Sequence, residues 1–236
     1  MKRVIGWRAV ALLLGLTAAC SDSTGSSETR TNVRVLLIGN SYTLFNGQDT
    51  LLARVAVEAG HGRTISATMG ARNNQSLETL WKDGVTLATI RQGGWDYVVL
   101  QEWVWGPTRD PNGFENYARM FDTEIKAQGG KTVLVVPWAP NFMPDSQTVI
   151  TNAVKRVASL IGARVAAAGP AWMSALQQKP SLLLYYQDGA HPDVLGSYLT
   201  AAVVYATIFR ESPESSAGSV DQQRLRKVAW AVEQQF

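Results

Sequence analysis

From Val33 onward, short runs of β-branched and aliphatic residues alternate with longer stretches whose apolar residues recur at helical spacing. Such strand–helix alternation is the pattern of βαβ units, which build a parallel sheet covered by helices on both faces. Five strands are expected, at Val33–Ile38, Thr64–Met69, Tyr97–Gln101, Thr132–Val136 and Arg164–Ala167. Runs such as VLLI and VLVV suit strands buried on both faces, where inside/outside alternation disappears. Helices are expected near Asp49–Ala59, Ser76–Arg91, Phe114–Gln128, Ser146–Leu160 and Ala171–Gln178. A further helix, dense in apolar residues, is expected from Pro192 to Phe209, because proline is tolerated in a first helical turn. The last begins near Asp221, with Leu225, Val228, Val232 and Phe236 on one stripe.

The first residues read as an address. Lys2, Arg3 and Arg8 precede an apolar run from Ala9 to Leu16, too short to span a bilayer as a helix, which ends in small residues before Cys20. Residues 1–19 are therefore expected to be an export signal. Leu16-Thr17-Ala18-Ala19-Cys20 resembles a bacterial lipobox, whose cysteine becomes the lipidated first residue of the mature chain. The alternative is an ordinary cysteine near a conventional cleavage site. As the only cysteine of the chain, Cys20 fits lipidation better than a free thiol in an oxidising compartment. Polar residues 20–32 then read as a flexible tether. Residues 33–236 form one domain, long enough to close a core without cross-links. The expected location is the bacterial cell envelope, with membrane contact only through the lipid.

Removing residues 1–19 takes Lys2, Arg3 and Arg8 from the 22 basic side chains and none of the 19 acidic ones, leaving 19 against 19. The net charge of +3 thus belongs to the signal. With no later cluster of Lys and Arg, nucleic-acid binding is excluded as a function class.

Gly39-Asn40-Ser41-Tyr42-Thr43 follows the first strand directly. Ser41 is thereby placed at the carboxyl edge of the sheet, where open α/β sheets bind ligands. Taken alone, Ser41 reads first as a turn residue or helix N-cap. A serine hydroxyl becomes a nucleophile only with a base in reach and donors for the oxyanion it creates. Asp188-Gly189-Ala190-His191-Pro192 offers such a base, because a carboxylate three residues before a histidine can orient its ring from the same loop. The chain has two histidines, so the base is His191 or His61 unless a lysine or carboxylate serves. His61, between Gly60 and Gly62 at an expected helix end, suits a solvated cap.

LLIGNSYT and DGAHPDVLGSYLTA, in this order and separation, resemble the first and last blocks of the SGNH (GDSL-like) hydrolase superfamily. Asn40 stands where better-known members have Asp. The resemblance covers nearly all of residues 33–210, and WDYVVLQE is similar to an SGNH-like branch of bacterial envelope proteins. It implies a flavodoxin-like three-layer α/β/α sandwich with a five-stranded parallel sheet. It also implies a serine esterase in which Ser41 attacks, His191 moves the proton and Asp188 orients the ring. The oxyanion donors implied are the N–H groups of Ser41 and Gly70 and a third amide. Gln101 stands where the family has Gly-x-Asn-Asp, and Asn73 or Asn74 could supply the amide instead.

Trp103, Trp105 and Trp138 follow strands three and four at the same edge and either line the cleft or cover the sheet ends. Indoles stack on sugar faces, so an acetylated carbohydrate is the expected substrate class. Such acyl transfer needs no cofactor, and two histidines distant in sequence do not make a metal site. Three rivals remain. Glu102 and Asp188 could act as a carboxylate pair on a glycosidic bond. The same serine machinery could pass an acyl group to a sugar as an O-acetyltransferase. A tethered carbohydrate-binding lipoprotein could keep the fold and tryptophans without turnover.

Overall fold

The computed structural model describes residues 1, 2 and 31–236. All but the first two residues of the expected export signal, Cys20 and most of the expected tether lie outside the described residues. Among the described residues, no helix is long and apolar enough to cross a membrane.

Among the described residues, five parallel strands form one sheet: β1 (Asn32–Ile38), β2 (Thr64–Met69), β3 (Tyr97–Leu100), β4 (Lys131–Val135) and β5 (Arg164–Ala166), in the order β2-β1-β3-β4-β5. The strand order is that of flavodoxin-like doubly wound sheets. It reverses direction at β1, so a crevice opens between the carboxyl ends of β1 and β3. Central β3 is buried throughout, whereas edge strand β2 alternates. That contrast explains why the middle strands read as unbroken apolar runs.

Ten α-helices among the described residues connect and cover the strands. Those before β4 are α1 (Ser41–Leu44), α2 (Gln48–Glu58), α3 (Leu77–Lys82), α4 (Val85–Arg91), α5 (Gly106–Arg109) and α6 (Pro111–Ala127). After β4 come α7 (Gln147–Ile161), α8 (Ala168–Gln178), α9 (Val194–Phe209) and α10 (Val220–Glu233). Helix α9 packs against α2, α8 and α10, and α6 packs against α3, α4, α5 and α7. Every residue of α9 from Gly196 to Ile208 is buried, as its apolar density demands.

Two expectations change. The helix expected over Ser76–Arg91 is two helices, because Asp83 Oδ1 accepts the N–H of Val85 at 2.9 Å and starts a new helix there. Pro192 does not begin α9. It bridges to Tyr185, and Asp193 caps the helix instead.

Candidate active site

The turn after β1 is held from below. Asn40 caps the one-turn helix α1, its Oδ1 accepting the Tyr42 N–H at 3.1 Å while its Nδ2 donates to Gln75 O at 3.2 Å. Gln101 Oε1 accepts from Thr43 Oγ1 at 3.0 Å and from the Asn40 N–H at 3.4 Å. Gly39 permits this approach, since a Cβ there would fall 2.7 Å from Thr43 Oγ1 and 2.9 Å from Gln101 Oε1. Ser41 is thus the first residue of α1, where its N–H has no acceptor within the helix.

The segment before α9 closes on Ser41 from across the sheet edge. His191 Nε2 lies 2.9 Å from Ser41 Oγ, and His191 Nδ1 lies 2.6 Å from Asp188 Oδ2. The other carboxylate oxygen, Asp188 Oδ1, accepts the N–H groups of Ala190 and His191, both at 2.9 Å. Partial burial pushes the Asp188 carboxyl up, but hydrogen bonds from the Ala190 N–H and from the ring and N–H of His191 outweigh it and hold it below its ordinary value. Gly189 has φ +71°, and a Cβ there would sit 2.3 Å from Asn141 Oδ1. Glycine therefore lets the β4–α7 loop seat the Asp188 turn, with the Asn141 N–H donating to Gly189 O at 2.8 Å.

Ser41, His191, Trp103, Trp105 and Asn74 share a cleft of about 490 Å³. Its wall also includes Ser76, Thr79, Pro140 and Phe142, and His191 is its only ionisable side chain apart from Tyr42. Trp103 is 44% exposed, and Arg109 lies over both the Trp103 and Trp105 rings.

Three of the expected site residues lie elsewhere. The Gly70 N–H donates to Leu37 O at 2.7 Å, because the β1–β2 ladder runs past Met69, so this group is not offered to the cleft. Gln101 is buried under the Ser41 turn, with its Oε1 engaged as above and its Nε2 donating to Glu102 O. Trp138 is 1% exposed and lies between Tyr42 (4.7 Å, 5°) and Trp172 (4.1 Å, 2°) as one layer of an aromatic stack. Of the amides left open by the sequence, Asn74 lines the cleft and Asn73 does not. His61 contacts Ser212 O at 3.0 Å, remote from Ser41. Among the described residues, no group of three or more His, Cys, Asp or Glu could hold a metal ion.

Sequence reasoning missed two rings. Phe45 stacks on His191 at 4.5 Å and 18°, and Tyr42 meets the same imidazole edge-on at 5.5 Å and 71°. It also missed the true place of Glu102, whose oxygens accept the N–H groups of Trp103 at 2.6 Å and Leu77 at 3.1 Å. Burial pushes that carboxyl up to about 7, against the two backbone donors.

No protein-family model matches the sequence, and no curated protein does. Solved structures do match in fold. A candidate SGNH hydrolase from Slackia heliotrinireducens is 24% identical, with a TM-score of 0.65 over 75% of this chain and 99% of that one. A DUF4886 family protein from Bacteroides uniformis is 17% identical, with a TM-score of 0.70 over 85% and 94%. The acetylxylan esterase Axe2 from Geobacillus stearothermophilus is 18% identical, with a TM-score of 0.62 over 78% and 97%. The chain therefore has the three-layer fold of the SGNH hydrolases, with Ser41, His191 and Asp188 linked by hydrogen bonds at the carboxyl edge of its sheet.

Proposed function

We propose that this chain is a serine esterase that removes acyl groups, acetyl foremost, from a carbohydrate. The observation that carries the reading is the chain Ser41 Oγ, His191 Nε2, His191 Nδ1, Asp188 Oδ2, with steps of 2.9 and 2.6 Å. Ser41 Oγ attacks the ester carbonyl while its proton passes to His191 Nε2. Asp188 stays ionised and holds the Nδ1–H. The tetrahedral oxyanion is met by the Ser41 N–H and the Asn74 side-chain amide. His191 returns the proton to the leaving alcohol, and water then repeats the sequence on the acyl-enzyme and releases the acid.

The carbohydrate side rests on the cleft wall. Trp103 and Trp105 offer indole faces, and the hydroxyl and amide groups of Ser76, Thr79 and Asn74 suit a neutral polyol. Axe2, of similar fold, is an acetylxylan esterase. The export signal and the Cys20 motif add the proposal that the enzyme works at the cell envelope as a lipid-anchored protein.

The glycosidase reading is disfavoured because Glu102 is buried with both oxygens on backbone N–H groups. A purely binding protein would have no use for the aligned serine, histidine and aspartate.

The test is hydrolysis of p-nitrophenyl acetate and of acetylated xylooligosaccharides by wild type, Ser41→Ala and His191→Ala. Turnover is expected only in wild type. Activity that survives in both variants overturns the mechanism, and acetyl transfer to an added sugar in preference to water would make the enzyme an O-acetyltransferase.

A further inference from the structure

We infer that Phe45 is a positioning residue that acts through His191, fixing the plane of its ring and stabilising the imidazolium formed when it takes the serine proton. The inference rests on the esterase reading of Ser41 and His191. Helix α1 is a single turn that carries the nucleophile at its start and the aromatic platform at its end, tied by the Phe45 N–H donating to Ser41 O at 3.0 Å. The imidazole lies on the Phe45 ring at 4.5 Å and 18°. One edge of the imidazole reaches Ser41 and the other Asp188, so Phe45 meets the remaining direction, a face.

Neighbouring contacts fix the platform. Tyr186 packs edge-on against Phe45 at 6.2 Å and 66°, while its N–H donates to His191 O at 2.8 Å. Asn46, next after Phe45, has φ +58° and donates from Nδ2 to Pro192 O at 3.0 Å. The segments on either side of the Phe45–His191 contact are therefore pinned to each other. Phe45 is not part of the cleft wall, so its ring meets the reacting groups through His191.

An aromatic face carries partial negative charge and attracts a cation lying over it. Neutral imidazole gains little from this face, and the imidazolium gains more. The contact is thus stronger in the transition state than in the ground state, which raises kcat and leaves KM alone. The titratable groups that meet the ring are Asp188 from its own loop and Tyr42 from α1, while the rings of Tyr185 and Tyr186 in the preceding segment pack against Trp172 and Phe45.

The full-length chain has two histidines, so ring-proton NMR resolves His191 once His61→Asn identifies the other signal. In Phe45→Leu and Phe45→Met, which keep apolar bulk without the π face, the titration midpoint of His191 is expected to fall by about 0.4 to 1.5 pH units. For the same reason kcat is expected to fall about 2- to 30-fold with KM unchanged. Phe45→Tyr should restore both. A midpoint that stays in place in both aliphatic variants overturns the inference even if kcat drops, because packing alone would do that. The titration is read without turnover, so a failure of the esterase reading, seen as hydrolysis surviving in Ser41→Ala, remains separately visible.

Discussion

Trp138 donates its Nε1–H to the carbonyl of Ala190 at 2.9 Å, one residue before His191. The indole thereby ties the end of β4 to the turn that carries the base, while its face supports Tyr42 behind the nucleophile. Trp138→Phe keeps the stack and removes the donor. Leaving this part-buried carbonyl unpaired costs up to about 1–3 kcal/mol, so a lower Tm and a lower kcat are expected with little change in KM. Trp103→Ala should do the reverse, raising KM for acetylated oligosaccharides at unchanged Tm. Thermal melts and steady-state kinetics on both proteins check the pair. A Trp138→Phe protein of wild-type stability with raised KM would return Trp138 to the cleft.

The two amides near Ser41 should also separate by readout. Asn74 is exposed in the cleft, so Asn74→Ala is expected to cost ~100–1000-fold in kcat with almost no change in Tm. Gln101 holds the Asn40–Thr43 turn from beneath, so Gln101→Leu should lower Tm, because the Asn40 N–H and the Thr43 hydroxyl lose their acceptor. Its kcat loss would follow from a displaced serine. If Gln101→Leu lowers kcat at unchanged Tm and Asn74→Ala is silent, the oxyanion is met by Gln101 after all.

Residues whose chemistry is scarce in this chain were the legible ones. With two histidines, and one of them three residues after an aspartate, the partner of Ser41 was nearly forced. The alternation of strand and helix patterns likewise sufficed for the sheet. What stayed hidden depends on register and facing. Gly70 ends an expected strand, but only the ladder shows that its N–H is bound to Leu37 O. Trp103 and Trp138 both follow strands, yet one is exposed and the other sealed between two rings, and no spacing rule separates them. Phe45 reads as an ordinary apolar residue until the chain brings His191, distant in sequence, onto its face.

Glu102 makes stability depend on pH. Its carboxyl, 5% exposed, has its folded value raised from 4.5 to about 7 by burial. A group raised on folding contributes stability that is complete below about 4.5 and lost as pH rises through about 7. The full difference is on the order of 3 kcal/mol. Glu102→Gln, which cannot ionise, should therefore gain on wild type by up to this amount between pH 5 and pH 8. Urea unfolding at the two pH values measures it. Parallel stability curves for the two proteins would show that the backbone donors of Leu77 and Trp103 keep the carboxylate ionised when folded.

Arg226, wholly buried, is the anchor on the far side of the domain. Its Nη1 lies 2.9 Å from Glu58 Oε2 and also bonds the Tyr198 hydroxyl, which donates to the same Glu58 oxygen at 2.5 Å. Its Nη2 donates to Ser215 O at 3.0 Å and to Ala217 O, so one guanidinium binds the α9–α10 loop to α2 and α9. Glu58 keeps Arg54, whose Nε lies 2.6 Å from its Oε1, so Arg226→Ala chiefly leaves the carbonyls of Ser215 and Ala217 without their donor and should cost about 1–3 kcal/mol. Replacing both, as Arg226→Met with Glu58→Gln, removes their mutual attraction once only, so the double variant should lose less than the sum of the two single losses. Activity of the surviving folded fraction should be near wild type, because no link of this cluster reaches the cleft. Denaturant unfolding of the single and double variants reads the coupling, and strictly additive losses would show that Glu58 and Arg226 do not depend on each other.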